Sequence, residues 1–265
     1  MSYNFYDFNN ALQQRNEYVE DRLRDGSPVI ALSYPGGILM LTLRHTQRKV
    51  YEIYDRLIMG AIGKQSDIES VRLAAIDTAH REGFQRSEDD VSIQRLVGFG
   101  LSPAVKRIYN DNTTIPLTFR GIFAEVDVIS PEEDQYFTLG YDGEFRTSRH
   151  HAVAAGTLHA VEQAEASLKE VTAGDLTAAL GATLHAWGIA HTQLAPFPEK
   201  IDEDGEEVTP PPTPSETVKT ALAEGLSVEA AILERHTKRE IRFRLLTATD
   251  LDAALVEYRP LPMGA

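Results

Sequence analysis

Apolar positions recur along the chain with two different periods, one typical of helices and one typical of strands. Near the N-terminus Leu12, Val19 and Leu23 fall on one face of a helix, and Gly26 follows as a stop signal. The next apolar runs are short and bounded by turn residues, which is typical of strands. The pattern predicts strands over 29–32, 38–42, 49–53 and 57–62, the first two joined by a Pro-Gly-Gly turn.

The apolar positions then return to helical spacing. Ser66 with Glu69 has the pattern of a capping box, and Gly83 is placed to end that helix. Ser87 with Asp90 predicts the start of a second helix. The rest of the chain predicts strands over 116–128 and 135–150, helices over 151–168 and 176–187, strands over 228–234 and 241–246, and a short helix over 250–256.

This order of elements predicts the fold class. Two consecutive helices between groups of strands do not suit a βαβ crossover, but they suit stacked antiparallel sheets with helices on each outer face. We therefore predict an α+β fold, a four-layer αββα sandwich with an N-terminal helix, as one domain over 1–265. Acidic residues and prolines in 196–216 predict a mobile surface insertion.

Composition narrows the function classes. The chain of 265 residues has a net charge of −14, which argues against a general affinity for nucleic acid. It has no cysteine, which excludes disulfides and thiolate chemistry and fits a cytoplasmic location. The acidic N-terminal residues do not have the pattern of a signal peptide, and no apolar run is long enough for a bilayer. No histidine pair has partners at metal-ligand spacing, so we expect no metal site and no cofactor.

Several segments in order carry a resemblance to a known family. They are RKVYEIYDRLIMGAIGKQSDIESVRLAAIDTAHREGFQRSEDDVSIQRL at 48–96, the leader MSYNFYDFNNALQQRNEYVED, VIALSYPGGILML, IFAEVD, YDGEFRTSRHHAVAAGT and VEAAILER…IRFRLLTATDLDAAL. Together they resemble the α-type subunit of the bacterial 20S proteasome, a family with the N-terminal-nucleophile hydrolase fold. The resemblance weakens only across the acidic insertion.

The resemblance implies an assembly and a role. Four stacked heptameric rings form a core particle for protein degradation, with α-type subunits in the outer rings and β-type subunits in the inner rings. The β-type subunits carry the threonine nucleophile. The α-type subunits gate the entry of unfolded protein substrates and dock a ring-shaped activator ATPase. It thus implies a homo-heptameric α ring, β-type partners, no chemistry of its own and a cytoplasmic location.

Three positions decide whether the chain has kept hydrolase chemistry. In the alignment that the resemblance implies, Ser27 stands at the nucleophile position and Lys49 at that of the catalytic lysine. Leu43 stands where the family has its catalytic carboxylate, and Pro28 follows Ser27. An N-terminal nucleophile would also require removal of 1–26, which includes the predicted helix. We expect Ser27 and Leu43 to form a degenerate site. The alternative is a self-processed Ser-type hydrolase that uses Ser27, and a third possibility is a relative that forms rings without β-type subunits.

The same resemblance implies a docking pocket between neighbouring subunits. Its residues here are Glu17 of the leader helix, Lys49, which pairs with the carboxylate of an activator tail, and Gly63. The alternative interpretations are a surface acid, a solvated lysine at a strand edge and a glycine that serves only its turn. Residues 1–10 are the expected gate segment, but Tyr6-Asp7-Phe8 lacks the arginine of the family's Tyr-Asp-Arg motif. The mechanism of the gate therefore stays open.

Overall fold

The computed structural model describes residues 5–193, 211–239 and 241–258 of the chain. In this part of the chain ten strands form two antiparallel sheets of five strands each, and helices cover both outer faces. This architecture confirms the predicted four-layer sandwich.

The first sheet lies near the middle of the molecule. It consists of β1 (Val29–Tyr34), β2 (Gly37–Arg44), β8 (His151–Ala154), β9 (Ser227–Glu234) and β10 (Phe243–Leu245), in the order β10-β9-β2-β1-β8. Its central strands are buried on both faces. Leu32 and Leu41 point to the helix layer, whereas Ala31 and Met40 point to the core between the sheets.

The second sheet closes the core from the other side. It consists of β3 (Val50–Tyr54), β4 (Leu57–Gly63), β5 (Phe119–Glu125), β6 (Gln135–Leu139) and β7 (Phe145–Ser148), in that order. Ile58 and Ile122 face the first sheet, and Met59 and Phe123 face the outer helices.

The helices form the two outer layers, and the N-terminal helix packs against the core between the sheets. They are α1 (Phe5–Leu23), α2 (Gln65–Gln85), α3 (Ser102–Asn110, directly after a π-helical stretch Gln94–Leu101), α4 (Leu158–Leu168), α5 (Leu176–Thr192), α6 (Pro214–Ala223) and α7 (Ala248–Leu255). Helices α2 and α3 pack on the second sheet, and α4 and α5 on the first. Val19 and Leu23 bury one face of α1 in the core between the sheets, as the predicted N-terminal helix requires.

The predicted helix over 151–168 is wrong in its first part. His151–Ala154 forms the edge strand β8, which pairs with β1. Helix α4 begins only at Leu158, where the hydroxyl of Thr157 accepts a hydrogen bond from the backbone N–H of Ala160 at 3.1 Å. The free edge of β1 offers backbone partners, and this pairing overrides the helix preference of the alanines.

The predicted capping box is also wrong. The residue that precedes α2 is Lys64, which makes no side-chain cap, and Ser66 lies inside the first turn. The helix start is held by a neighbouring loop instead. Lys64 donates its backbone N–H to the carbonyl of Thr118, and the carboxylate of Asp67 accepts the N–H of Thr118, both at 2.9 Å.

Two further boundaries differ from the prediction. Gly83 does not end α2, which continues to residue 85, and a Cβ at Gly83 would lie 2.5 Å from the hydroxyl of Tyr54. Ser87 caps a single 3₁₀ turn, Glu88–Asp90, and the chain becomes helical again only near residue 93. The glycine therefore serves a close approach, not a helix stop.

The predicted insertion lies mostly outside the described residues. Its last residues, 214–216, form the first turn of α6, which Thr213 and Glu216 close with a reciprocal capping box. The mobility of 196–210 stays a prediction. In the described ranges no helix combines the length and hydropathy needed to cross a bilayer.

Candidate binding pocket around Ser27 and Lys49

Ser27 lies in the short connection between α1 and β1, and its hydroxyl is fully engaged inside the subunit. The Ser27 Oγ donates to the carbonyl of Leu43 at 2.6 Å and accepts from Nε1 of Trp187 at 3.2 Å. Trp187 is completely buried under the first sheet. The serine side chain thus ties the start of β1 to the end of β2 and to α5.

Leu43 has a structural environment that differs from that of a catalytic acid. Its side chain is fully buried in the core between the first sheet and the helices. Only its backbone carbonyl faces Ser27. A leucine can neither accept a proton nor orient a lysine, so this position contributes packing alone.

Lys49 directly precedes β3 and lies beside Ser27. Its Nζ donates to the backbone carbonyl of Ser27 at 3.0 Å and not to the hydroxyl. Its backbone N–H donates to the carboxylate of Glu229 at 3.0 Å, and Glu229 also pairs with Arg44 at 2.7 Å. Burial lowers the pKa of Lys49 to about 8, against the opposing attraction of Glu229.

Lys49 lines a cavity of about 460 Å³ at this end of the sandwich. Gly63 lies at its wall with φ +128°, where a Cβ would come within 2.1 Å of the carbonyl of Thr118. Only glycine fits this turn between β4 and α2. The cavity is lined by Arg22, Asp25, Gly26, Ser27, Leu43, Arg44, His45, Thr46, Gln47, Lys49, Gly63, His191, Glu224 and Leu226.

The structure brings together four of the five predicted site residues and leaves one apart. Ser27, Leu43, Lys49 and Gly63 all line this cavity, whereas Glu17 does not. Glu17 lies on the exposed surface of α1 and accepts a hydrogen bond from Gln13 at 2.9 Å. Within a single subunit it therefore takes no part in the pocket.

Sequence reasoning missed the part of the pocket that α5 and the segment after α6 provide. His191 stacks on Trp187 with ring centroids 4.5 Å apart and ring planes 15° from parallel. Its Nδ1 is buried and has no hydrogen-bond partner among the described residues. Burial lowers the pKa of His191, Glu224 opposes this shift, and Lys49 adds to it. The spacing of four between Trp187 and His191 is compatible with one helix face, but the predicted helix ended at Trp187, whereas α5 continues to Thr192.

The other motifs contribute little to this site. The letters Tyr-Asp-Arg occur at 54–56, but these residues lie at the turn between β3 and β4, where Arg56 is 3.7 Å from the carboxylate of Glu125. Residues 1–4 of the expected gate segment lie outside the described residues, and α1 begins at Phe5. Across the described ranges no group of three or more His, Asp or Glu side chains is arranged to hold a metal ion.

Comparison with known proteins extends the similarity over nearly the whole chain. No protein-family model matches it. The chain is 29% identical to the proteasome subunit alpha of Actinosynnema mirum over 94% of its length and 86% of that protein. It is 27% identical to the proteasome subunit alpha of Thermomonospora curvata, over 93% of this chain and 94% of that protein. For the proteasome subunit alpha of Jonesia denitrificans the identity is 29%, over 90% and 91% of the two chains. The chain is thus similar over most of its length to bacterial proteasome α-type subunits, and the two stacked sheets between helix layers are consistent with that similarity.

Proposed function

We propose that the chain is a non-catalytic α-type subunit of a bacterial 20S proteasome core particle. It forms the outer heptameric ring, gates the entry of unfolded proteins and docks a ring-shaped activator ATPase in the cytoplasm. The observation that carries this proposal is the contrast between two neighbouring side chains that line one pocket. The Ser27 hydroxyl is engaged inside the subunit, whereas the Lys49 ammonium faces an open cavity.

The arrangement around Ser27 supports catalytic silence. An alcohol needs a general base to become a nucleophile, and in this fold the base is the free amine of the same residue. The Ser27 nitrogen is in the peptide bond to Gly26, shortly after α1 in the chain. Val19 and Leu23 of α1 are buried in the core. The hydroxyl proton points to the Leu43 carbonyl, and a carbonyl oxygen is not a useful base. Cleavage after Gly26 would have to detach a packed helix.

The arrangement around Lys49 supports the binding of a carboxylate. An ammonium group has three N–H donors, and the described residues supply one acceptor, the Ser27 carbonyl. With a pKa of about 8, Lys49 is mostly protonated at neutral pH. A terminal carboxylate that entered the cavity would form a charge-assisted hydrogen bond in a partly desolvated site. Glu17 lies outside the pocket of its own subunit, so we propose that it acts from a neighbouring copy.

A self-processed hydrolase that uses Ser27 is the second candidate. One observation favours it, because a lysine with a lowered pKa lies beside the serine. However, Nζ contacts the Ser27 carbonyl and not the hydroxyl, and Leu43 gives no acid. The first candidate explains all three positions.

Degradation by the assembled particle tests the proposal. The chain is co-expressed with its β-type subunit, and cleavage of a short peptide is compared with ATPase-dependent degradation of a folded protein. Lys49→Ala should leave peptide cleavage in place and abolish the ATPase-dependent reaction. Lys64→Ala is the matched control, because Lys64 is exposed and lies outside the cavity. Unchanged degradation and unchanged ATPase affinity in Lys49→Ala would contradict the docking role.

A further inference from the structure

A buried acid on the first sheet supports the backbone of Lys49. Glu229 lies on β9, and its side chain is 3% exposed. Its carboxylate pairs with Arg44 at 2.7 Å and accepts the backbone N–H of Lys49 at 3.0 Å. Burying an ion pair often costs more free energy than burying apolar side chains of similar volume, so stability alone does not account for an acid at this position.

Glu229 and β4 together fix both backbone groups of Lys49. The Lys49 carbonyl accepts from the N–H of Ala61 on β4 at 3.1 Å, and the Lys49 N–H donates to Glu229 at 3.0 Å. The second carboxylate oxygen of Glu229 accepts the N–H of Val50 at 3.4 Å. Glu229 therefore connects the first sheet to the edge of the second, at the residue whose side chain lines the cavity.

A fixed backbone matters for a lysine in particular. Its side chain is long and flexible, and ordering such a side chain on binding costs free energy. The fixed backbone and the bond from Nζ to the Ser27 carbonyl at 3.0 Å limit the positions of the ammonium group before a ligand arrives. Burial lowers the pKa of Lys49, and the charge of Glu229 opposes this shift. The other charged or titratable side chains at the cavity are those of Arg22, Asp25, Arg44, His45, His191 and Glu224.

We propose that Glu229 is a positioning residue of the docking pocket, whose carboxylate holds the backbone of Lys49 and Val50 and so places the Lys49 ammonium group at the cavity. Because Glu229 is buried and does not line the cavity, it acts through Lys49 and not by contact with a ligand. The inference rests on the docking role proposed above and adds to it a residue from the other sheet.

Hydrogen exchange of the assembled core particle tests the hold on the backbone. Glu229→Met keeps a side chain of similar length but removes both acceptor oxygens, so the amide of Lys49 should exchange roughly tenfold faster. Glu229→Gln keeps one acceptor oxygen and should preserve most of this protection. Glu234→Met is the matched control, because Glu234 lies on the same strand, pairs with Arg244 at 3.1 Å and lies outside the cavity. Mass spectrometry with fragmentation to single residues measures the exchange.

Peptide binding tests whether this hold matters for docking. The probe is a fluorescein-labelled peptide with the last ten residues of the ring-shaped ATPase, and anisotropy titrations with the core particle give its affinity. Glu229→Met should weaken binding at pH 7 by roughly tenfold, although the loss of a negative charge alone would favour an anionic peptide end. Its affinity should also begin to fall at a lower pH than in the unmodified particle, because the charge that opposes the lowered pKa of Lys49 is gone.

Two further variants separate the position of Lys49 from its charge environment and from general stability. Glu229→Gln loses the charge but keeps one acceptor, so it should show the same change of pH profile with a smaller loss of affinity. Glu234→Met should keep both the affinity and the pH profile of the unmodified particle. Thermal unfolding of each particle verifies that it is folded.

The outcomes distinguish this inference from the docking proposal. If Glu229→Met keeps the exchange rate of the Lys49 amide, or keeps the peptide affinity, the inference is wrong and the docking role stands. A loss of affinity that is equal in Glu234→Met, or that leaves the pH profile unchanged, would also overturn the inference, because it would indicate a general loss of stability. If the unmodified particle does not bind the peptide, the docking role fails and the positioning role fails with it.

Discussion

The two ends of the sandwich each contain a buried cationic side chain, Arg235 at one end and Lys49 at the other, and the two differ in their partners. At the end away from the pocket, Arg235 is 1% exposed and donates to both carboxylate oxygens of Asp134, at 3.0 and 2.7 Å. Asp134 is fully buried and also accepts from the Ser33 hydroxyl at 2.7 Å and the Asp127 N–H at 2.8 Å. At the pocket end, Lys49 contacts one backbone carbonyl and faces a cavity.

This difference in partners suggests different roles for the two cations, with Arg235 stabilising the fold and Lys49 able to bind a ligand. The Arg235 cluster satisfies its polar groups inside the chain and joins the residue after β9 of the first sheet to the loop before β6 of the second. Such a closed pair leaves nothing for a ligand. Lys49 donates to only one acceptor among the described residues, and burial lowers its pKa to about 8, a combination that is common at binding sites.

Opening the closed pair should give the largest effect on folding. Arg235→Met leaves the Asp134 carboxylate buried without a cation, so the free energy of unfolding should fall by about 3–5 kcal/mol. Urea denaturation measures this loss. Arg239→Met is the matched control, because Arg239 is half exposed and should contribute less than about 1 kcal/mol. If the free energy of unfolding fell equally in Arg235→Met and Arg239→Met, the Arg235 pair would contribute no more than an exposed pair, and the comparison with Lys49 would fail.

Removing the Ser27 hydroxyl should have an intermediate effect. Ser27→Ala leaves the buried N–H of Trp187 without its acceptor, so the free energy of unfolding should fall by about 1–3 kcal/mol. Ser66→Ala, at an exposed serine, should stay within about 0.5 kcal/mol of the unmodified chain. Peptide cleavage by the assembled particle should not change. Loss of cleavage with normal assembly would instead assign catalysis to Ser27.

The pH dependence of docking should follow Lys49. Carboxylate binding needs the protonated lysine, so peptide affinity should fall by roughly tenfold between pH 7 and pH 9 as the pH passes the lysine pKa of about 8. The folded chain holds this proton less tightly than the unfolded chain. The same group should therefore make folding more stable as pH rises from about 8 towards its ordinary pKa of 10.5. Lys49→Met should abolish both pH effects, and a slope that persists in this variant would assign them to another group.

The smallest stability effect should come from Lys49 itself. Lys49→Met removes one hydrogen bond but also relieves the burial of a charge, so the free energy of unfolding at pH 7 should not fall by more than about 1 kcal/mol. Anisotropy titration of the same variant should show that peptide docking is lost. A large destabilisation would show that Lys49 resembles Arg235 and serves the fold.

Local patterns in the sequence predicted most of the fold, and long-range pairing explains the errors. The hairpin of β1 and β2 follows from two apolar runs around a Pro-Gly-Gly turn. The alanines of His151–Ala154 favour a helix, but pairing with the edge of β1, more than a hundred residues away in the chain, makes this segment β8. The capping box failed for a similar reason, because Thr118 holds the start of α2.

The pocket was predicted only where its residues follow the family pattern. The resemblance predicts Ser27, Leu43, Lys49 and Gly63 from the alignment of the first strand and the family spacing, and all four line the cavity. His191 was missed, because no local pattern shows that the end of α5 reaches the start of β3. The same holds for Glu229, which holds the backbone of Lys49 from β9.

The intact mass of the protein, purified after co-expression with its β-type subunit, tests most directly whether the Ser27 end is a binding pocket or an active site. The account predicts a chain that begins at Met1 or Ser2 and keeps the bond between Gly26 and Ser27. A mass that corresponds to a chain beginning at Ser27 would contradict it, because that cleavage would free the amine that an N-terminal serine needs for catalysis.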